Sequence, residues 1–131
     1  MMTSTSTIDH FIGGQRSPGA SGATQPVFNP ATGEAIRAVR LGGAAEVKAA
    51  VAAAKAAAPG WAGTTPLRRA RILNRFLHLL EERIDTLAAV ITEEHGKVLS
   101  DAKGEIQRGM EVVEFATAAP QLLKGEVTEN V

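Results

Sequence analysis

The sequence predicts a mostly α-helical chain with a small β margin, and three stretches support this fold class. Apolar residues recur at a helical period through residues 65–95, an alanine-rich run fills residues 44–58, and a third amphipathic stretch covers residues 100–118. Short segments near both ends have strand character. Because 44% of the residues are hydrophobic and 21% are charged, the composition is typical of a globular protein and not of a disordered one.

The chain before residue 44 is predicted to form a polar tail followed by short strands. Residues 1–7 are mostly small and polar, so we expect a disordered tail. Residues 8–12 and 34–41 are predicted strands, and Gly13 with Gly14 suits a tight hairpin turn. A loop is expected over residues 17–25. A turn is expected over residues 29–33, where Asn29 precedes Pro30.

The first predicted helix covers residues 44–58 because alanine has the highest helix propensity. Its start lacks a Ser, Thr, Asp or Asn near Gly43 that could cap it. Pro59 and Gly60 are expected to end it. Trp61 would then fill the corner before the next helix.

The second predicted helix is unusually long, from residue 65 to residue 95. Thr65 can cap its start with Pro66 in the first turn, and Gly96 can end it in a left-handed conformation. Its length makes a break near residues 83–85 plausible. Burying each large apolar side chain of its stripe is worth about 1.5–3 kcal/mol, so something must cover the stripe. The stripe consists of Leu73, Phe76, Leu77, Leu80, Ile84, Leu87, Ala88 and Ile91.

The third predicted helix, residues 100–118, contains the most informative side chain of the chain, Arg108. Ser100 is expected to cap this helix and Pro120 to close it. Gly104 costs the helix about 1 kcal/mol relative to alanine, and it lies one turn before Arg108 on the same face. It would therefore clear space under the guanidinium. Gly109 costs a similar amount.

Two interpretations of Arg108 remain open from the spacing alone. Glu105 and Glu111 lie three residues away on either side, so an ordinary helix salt bridge is one possibility. The other is an arginine held open for a carboxylate or a phosphate, which its planar fork of donors suits.

Charge and residue content exclude several classes of function. Lys plus Arg equals Asp plus Glu, at 14 each, so no nucleic-acid or membrane-surface partner is expected. No apolar run approaches the length of a membrane span. The chain has no cysteine, which excludes disulfides, thiolate metal sites and a cysteine nucleophile within its 131 residues.

Catalytic, metal-binding and cofactor-binding patterns are also missing from the sequence. His10, His78 and His95 have no partners at metal-ligand spacing, so we expect solvated or locally bonded histidines. The paired glycines do not match a phosphate-binding fingerprint, and no Ser–His–Asp set can be assembled. The charged run 93–97 (EEHGK) suits a helix end, although its lysine and carboxylates could instead face a cleft.

Several short motifs occur in the order in which they occur in the aldehyde dehydrogenase superfamily. They are HFIGG at 10–14, FNPATG at 28–33, PGW at 59–61, PLRRARIL at 66–73 and EHGK at 94–97. The run GEIQRGMEVVEFA at 104–116, followed by LLKG at 122–125, narrows the resemblance. It closely resembles the CoA-acylating methylmalonate-semialdehyde (malonate-semialdehyde) dehydrogenases.

The resemblance implies a partial segment of the α/β aldehyde dehydrogenase fold. Residues 8–123 would be the N-terminal helical part of the cofactor-binding domain, and residues 124–131 would begin a strand of the oligomerisation sheet. In such enzymes a cysteine thiolate attacks the aldehyde, hydride passes to NAD and CoA takes the acyl group. Methylmalonate semialdehyde also loses its carboxylate as CO2 and gives propionyl-CoA.

The resemblance assigns one functional residue to this chain. The substrate-carboxylate arginine of the family aligns with Arg108, whereas the catalytic residues and the NAD-contacting lysine would lie beyond residue 131. We therefore expect an N-terminal fragment that is inactive alone and binds neither NAD, CoA nor a metal. The parent would be a cytoplasmic homo-oligomer acting on a small semialdehyde, with no nucleic-acid or membrane partner.

Two alternatives remain at this point. The parent could be another semialdehyde dehydrogenase of the superfamily, with different chemistry in the missing part. The chain could also be a free-standing helical interaction module without catalysis.

Overall fold

The computed structural model describes residues 6–126, which form two compact units. The first unit contains residues 6–63 and 92–96, and the second contains residues 64–91 and 97–126. Five helices and five short strands occur in this range, which confirms the predicted mostly α fold class. None of the helices in the described range is long and apolar enough to cross a membrane.

The first unit contains a three-stranded sheet in the order β1 (Ser6–Ile8), β5 (Ala35–Arg40) and β4 (Thr24–Phe28). The central strand runs parallel to β1 and antiparallel to β4. Pro26 of β4 lies opposite Ala38 of β5. Because β4 is an edge strand, the missing N–H of this proline is tolerated.

Two sequence predictions for this region need correction. Ser6 and Thr7, expected in the tail, pair with Arg37 and Ala38, and residues 1–5 lie outside the described range. Both ends of the loop predicted over residues 17–25 are in strands: Ser17 pairs with His10, while Thr24 and Gln25 belong to β4 and pair with Arg40 and Val39. Strand pairing has outweighed the weak local preferences of these polar residues.

A hairpin of β2 (His10–Ile12) and β3 (Gln15–Ser17) completes the strands of the first unit. Gly13 and Gly14 connect them with φ values of 61° and 80°. Both values are positive, as a two-residue hairpin turn requires, so this turn prediction is confirmed. The predicted single strand over residues 8–12 is divided at Asp9 between two sheets.

Helix α1 (Ala44–Gly63) is longer than predicted. Pro59 lies inside it and not at its end, and Trp61 belongs to its last turn and not to a corner. A proline removes one backbone donor and crowds the carbonyl four residues earlier, which costs stability, but here the helix continues past it for another turn.

The predicted long helix is two helices, α2 (Pro66–Glu82) and α3 (Ile84–His95), with the break at Arg83. The break is therefore confirmed. Thr65 occupies the N-cap position of α2, but its side chain makes no capping hydrogen bond. Gly96 has a φ of 82°, and its N–H donates to the Thr92 carbonyl at 2.9 Å, as expected for a left-handed helix end.

Helix α4 (Leu99–Thr117) starts earlier than predicted. Val98, and not Ser100, is at its N-cap, because the N–H groups of Asp101 and Ala102 both donate to the Val98 carbonyl at 3.1 Å. A short helix, α5 (Ala119–Leu122), follows with Pro120 in its first turn, where a missing N–H is harmless.

The predicted C-terminal strand is not seen in the described range. Residues 124–126 have no regular secondary structure, and residues 127–131 lie outside the described range.

Small side chains form the centre of the second unit. Ala70, Ala88 and Ala102 are almost fully buried, together with Met110. The apolar stripe is only partly covered, since Phe76 remains 48% exposed. Exposed and half-buried side chains of α2, α3 and α4 line an apolar groove of about 390 Å³. The apolar groove is lined by Phe76, Leu80, Leu87, Val90, Ile91, Ile106, Gly109 and Val113.

Candidate functional site

A polar groove lies along the first three turns of α4, within the second unit. It is open to solvent and has a volume of about 440 Å³. Two lysine or arginine side chains and two carboxylates lie on its walls. The polar groove is lined by Lys97, Ser100, Asp101, Gly104, Glu105 and Arg108.

Gly104 leaves the floor of this groove open. A Cβ atom placed on Gly104 would meet no heavy atom of the described chain within 4 Å apart from its chain neighbours and the nearby backbone of α4. Arg108 follows one helical turn later on the same face, and its side chain is exposed. The missing methyl group therefore gives a molecule in the groove access to the helix backbone beside the guanidinium.

Of the two glutamates three residues from Arg108, Glu105 is the one that lines the polar groove, and it pairs with a lysine. Glu105 Oε1 accepts a hydrogen bond from Lys97 Nζ, which forms an ion pair across the groove. Within residues 6–126, Arg108 itself has no ion pair or side-chain hydrogen bond. In the described part of the chain the helix salt bridge that the spacing allowed is therefore not formed, and the donors of Arg108 are available there.

The charged residues of the run 93–97 have different roles: Glu93 and Glu94 bind Arg37, and Lys97 lines the polar groove. In the first unit, Arg37 Nη2 donates to Glu93 Oε2 at 2.5 Å, and Arg37 Nη1 donates to Glu94 Oε1 at 3.0 Å. The hydrogen bond that Arg37 donates to Glu93 is the main cause that raises the pKa of Arg37 above its ordinary value. In the second unit, Lys97 contributes its ammonium group to the polar groove.

Glu46 has a structural role that the sequence reasoning missed. Its carboxylate accepts hydrogen bonds from the N–H of Gly43 at 2.7 Å and from the N–H of Ala20 at 2.6 Å. The first bond closes the start of α1, where a glutamate at the third helical position reaches back to the N-cap. The glutamate three residues after Gly43 was the signal that could have revealed it.

None of the three histidines lines the polar groove. Exposed His78 lies 3.3 Å from Glu81 through Nδ1 and 3.3 Å from Glu82 through Nε2. His10 lies beside Gly19 and Gly42 in the first unit. Among residues 6–126, no group of three His, Cys, Asp or Glu side chains could hold a metal ion.

Comparison with known proteins gives a consistent family match. The profile of the aldehyde dehydrogenase family matches residues 17–130. The malonate-semialdehyde dehydrogenase of Pseudomonas aeruginosa is 47% identical over 125 residues, which cover 95% of this chain and 25% of that protein. Malonate-semialdehyde dehydrogenase 3 of Geobacillus kaustophilus is 50% identical over 130 residues, covering 99% of this chain and 27% of that protein.

Solved structures agree with the sequence matches. The methylmalonate-semialdehyde dehydrogenase of Oceanimonas doudoroffii superposes with a TM-score of 0.89 at 48% identity, covering 93% of this chain and 25% of that one. A structure from Sinorhizobium meliloti, assigned as a methylmalonate-semialdehyde dehydrogenase and complexed with NAD, superposes with a TM-score of 0.93 at 47% identity. The match covers 98% of this chain and 26% of that one. The chain thus spans about a quarter of the length of these relatives.

Proposed function

The chain belongs to the aldehyde dehydrogenase family, and on that premise we propose that it is the N-terminal segment of an NAD-dependent, CoA-acylating malonate- or methylmalonate-semialdehyde dehydrogenase. The parent reaction would convert a semialdehyde, CoA and NAD into an acyl-CoA, CO2 and NADH. Relatives at 47% and 50% identity support the substrate class.

The observation that carries this proposal is the available guanidinium of Arg108 in the polar groove. A malonate-type semialdehyde differs from a simple aldehyde by its carboxylate. The planar fork of an arginine can donate two parallel hydrogen bonds to a carboxylate, which fixes both position and orientation. In the proposed role Arg108 holds the carboxylate end of the substrate, so that its aldehyde end is presented to groups elsewhere in the parent.

We expect that the described residues do not supply the NAD site. They contain a strand–glycine–helix junction, β5–Gly42–Gly43–α1, of the kind that can bind a phosphate. However, the carboxylate of Glu46 already accepts the N–H of Gly43 there, and its negative charge would repel a phosphate. NAD, when bound in the parent, would accept hydride from the substrate.

We expect the 131-residue chain alone to be inactive. It has no cysteine, and the covalent step of the family needs a thiolate. Purified chain mixed with NAD, CoA and malonate semialdehyde should form no NADH above a buffer blank. NADH formation, with contaminating full-length enzyme excluded, would contradict the expected division of the active site.

Full-length enzyme carrying this chain gives the test of the reaction. It should turn over malonate and methylmalonate semialdehydes with a much higher kcat/KM than succinate semialdehyde, and it should form an acyl-CoA only when CoA is present. Preference for succinate semialdehyde with release of a free acid would favour the alternative of another semialdehyde dehydrogenase. No turnover of any aldehyde would favour a non-catalytic interaction module. Homo-oligomeric assembly and a cytoplasmic location belong to the same proposal and rest on the family resemblance.

A further inference from the structure

We propose that Lys97 is a positioning residue that keeps Glu105 away from Arg108, so that the guanidinium remains available to the carboxylate of the substrate. The inference rests on the proposed role of Arg108 and adds a residue that controls it. Lys97 would act through Glu105 without contacting the reacting atoms.

Of the two glutamates three residues from Arg108, only Glu105 lines the polar groove, where it can compete with the substrate. It precedes Arg108 by three residues in α4, and side chains at this spacing are neighbours on a helix surface. Glutamate and arginine at this spacing commonly form an ion pair. In this structure the Glu105 carboxylate binds Lys97 instead.

Lys97 is well placed for this role because it lies outside the helix. It follows Gly96, whose left-handed conformation ends α3, and it precedes Val98 at the N-cap of α4. Its side chain is 28% exposed, whereas that of Glu105 is 51% exposed. The Lys97 side chain is therefore more covered by the chain than that of Glu105, and its ammonium group meets the Glu105 carboxylate at the polar groove.

The charge of the polar groove also depends on Lys97. Lys97 and Arg108 oppose Asp101 and Glu105, so the formal charges of the lining residues sum to zero. Removing Lys97 would leave a net negative lining around Arg108. Such a lining would favour an internal Glu105–Arg108 pair and disfavour an anionic substrate.

The size of the effect follows from the strength of an exposed ion pair. A pair of ordinary strength would occupy Arg108 for a large share of the time and would compete with the substrate. We expect KM for malonate semialdehyde to rise about 2- to 6-fold in a Lys97→Met enzyme. Because a saturating substrate displaces an internal competitor, the rise should be confined to KM.

The test uses full-length enzyme and a double variant. Lys97→Met should raise KM for malonate semialdehyde, and adding Glu105→Gln to it should return KM to the wild-type value. Lys103→Met is the matched control, because Lys103 is a lysine on the helix that contains Glu105 and Arg108. It also forms an ion pair, with Asp85 at 2.6 Å, but it does not line the polar groove. This control should leave KM unchanged.

Other outcomes overturn the inference. An unchanged KM in Lys97→Met would show that Glu105 does not compete for Arg108. A raised KM that persists in the double variant would show that Lys97 attracts the substrate directly or merely supports the fold. If Lys97→Met fails to fold, Lys97→Gln provides the same comparison with a polar side chain.

The inference and the proposed function fail in different ways. If an Arg108→Lys enzyme loses its preference for carboxylated aldehydes while Lys97→Met behaves as wild type, only the role of Lys97 is wrong. If Arg108→Lys has no selective effect, the role of Arg108 as a carboxylate ligand is wrong.

Discussion

At the scale of single residues, Glu46 links a loop and a helix start through its charge. Its two backbone donors, Ala20 first and Gly43 second, lower the pKa of this carboxyl below its ordinary value. A carboxyl whose pKa is lower in the folded state contributes stability above its unfolded pKa. That contribution is lost as the pH falls through the lowered, folded-state pKa.

We predict that Glu46→Gln lowers the thermal midpoint of the chain at neutral pH and that the difference from wild type shrinks as the solution is acidified through this range. Glu34→Gln is the control, because Glu34 is exposed and its side chain makes no hydrogen bond within residues 6–126. Thermal unfolding followed by circular dichroism across the pH range measures both. A difference for Glu46→Gln that is constant with pH would contradict the account.

Position 96 needs a glycine for two reasons: its backbone is left-handed, and a neighbouring side chain leaves no room for a Cβ atom. Its φ is 82°, and a Cβ atom at this position would lie 2.8 Å from Pro30 Cγ within the first unit. We expect Gly96→Ala to lower the free energy of unfolding by roughly 1–2 kcal/mol because of the left-handed backbone. The clash with Pro30 should lower it further. Gly33→Ala isolates the first cost, because Gly33 has a φ of 72° and open space around it. Equal losses in the two variants, measured by chemical denaturation, would show that the Pro30 contact is unimportant.

At the scale of elements, two glycines inside α4 make this helix less stable than alanines would, and they leave space in the two grooves. Apart from chain neighbours and the nearby backbone of α4, a Cβ atom at Gly104 or Gly109 would meet no heavy atom of the described chain within 4 Å. Alanine at either position should therefore stabilise the helix by about 0.5–1 kcal/mol. The two glycines differ in what they line, since Gly104 borders the polar groove and Gly109 the apolar groove.

This difference predicts separate effects on stability and on substrate binding. Gly104→Ala and Gly109→Ala should both raise the thermal midpoint of the chain. In full-length enzyme only Gly104→Ala should raise KM for malonate semialdehyde, because only that methyl group enters the polar groove. A similar KM in all three enzymes would mean that the floor beside Arg108 is not used by the substrate.

The helices were predictable because their signals are periodic and local. The apolar stripe of residues 65–95 was long enough to indicate both the helices and a break, which falls at Arg83. Helix ends were less predictable, because they depend on single hydrogen bonds. Ser100 was expected to cap α4, yet Val98 supplies the first carbonyl, and Pro59 did not end α1.

The site was predictable only in part. The spacing of Gly104 and Arg108 indicated a candidate, but it could not decide between a salt bridge with Glu105 and an open guanidinium. That choice depends on Lys97, which lies before α4 and reaches Glu105 through the fold. Glu46 was missed for the same reason, since its partner Ala20 is 26 residues away.

At the scale of the whole molecule, large apolar side chains remain exposed. In the second unit Phe76 is 48% exposed and Val90 41% exposed in the apolar groove, and Val112 of α4 is 70% exposed. Exposed apolar area of this kind promotes association. We predict that the 131-residue chain self-associates, with a mass in light scattering that grows with concentration. A monomer throughout a dilution series would contradict this, and Phe76→Gln should weaken the association.

The central claim is that Arg108 binds the substrate carboxylate, and kcat/KM for two aldehydes tests it most directly. Arg108→Lys in full-length enzyme keeps the charge but removes the two-pronged geometry. Losing one charge-assisted hydrogen bond should cost about 1.5–3 kcal/mol, or roughly 10- to 150-fold in kcat/KM for methylmalonate semialdehyde. Propanal, which lacks the carboxylate, should be turned over as by the wild-type enzyme. An equal loss for both aldehydes, or no loss for either, would contradict the claim.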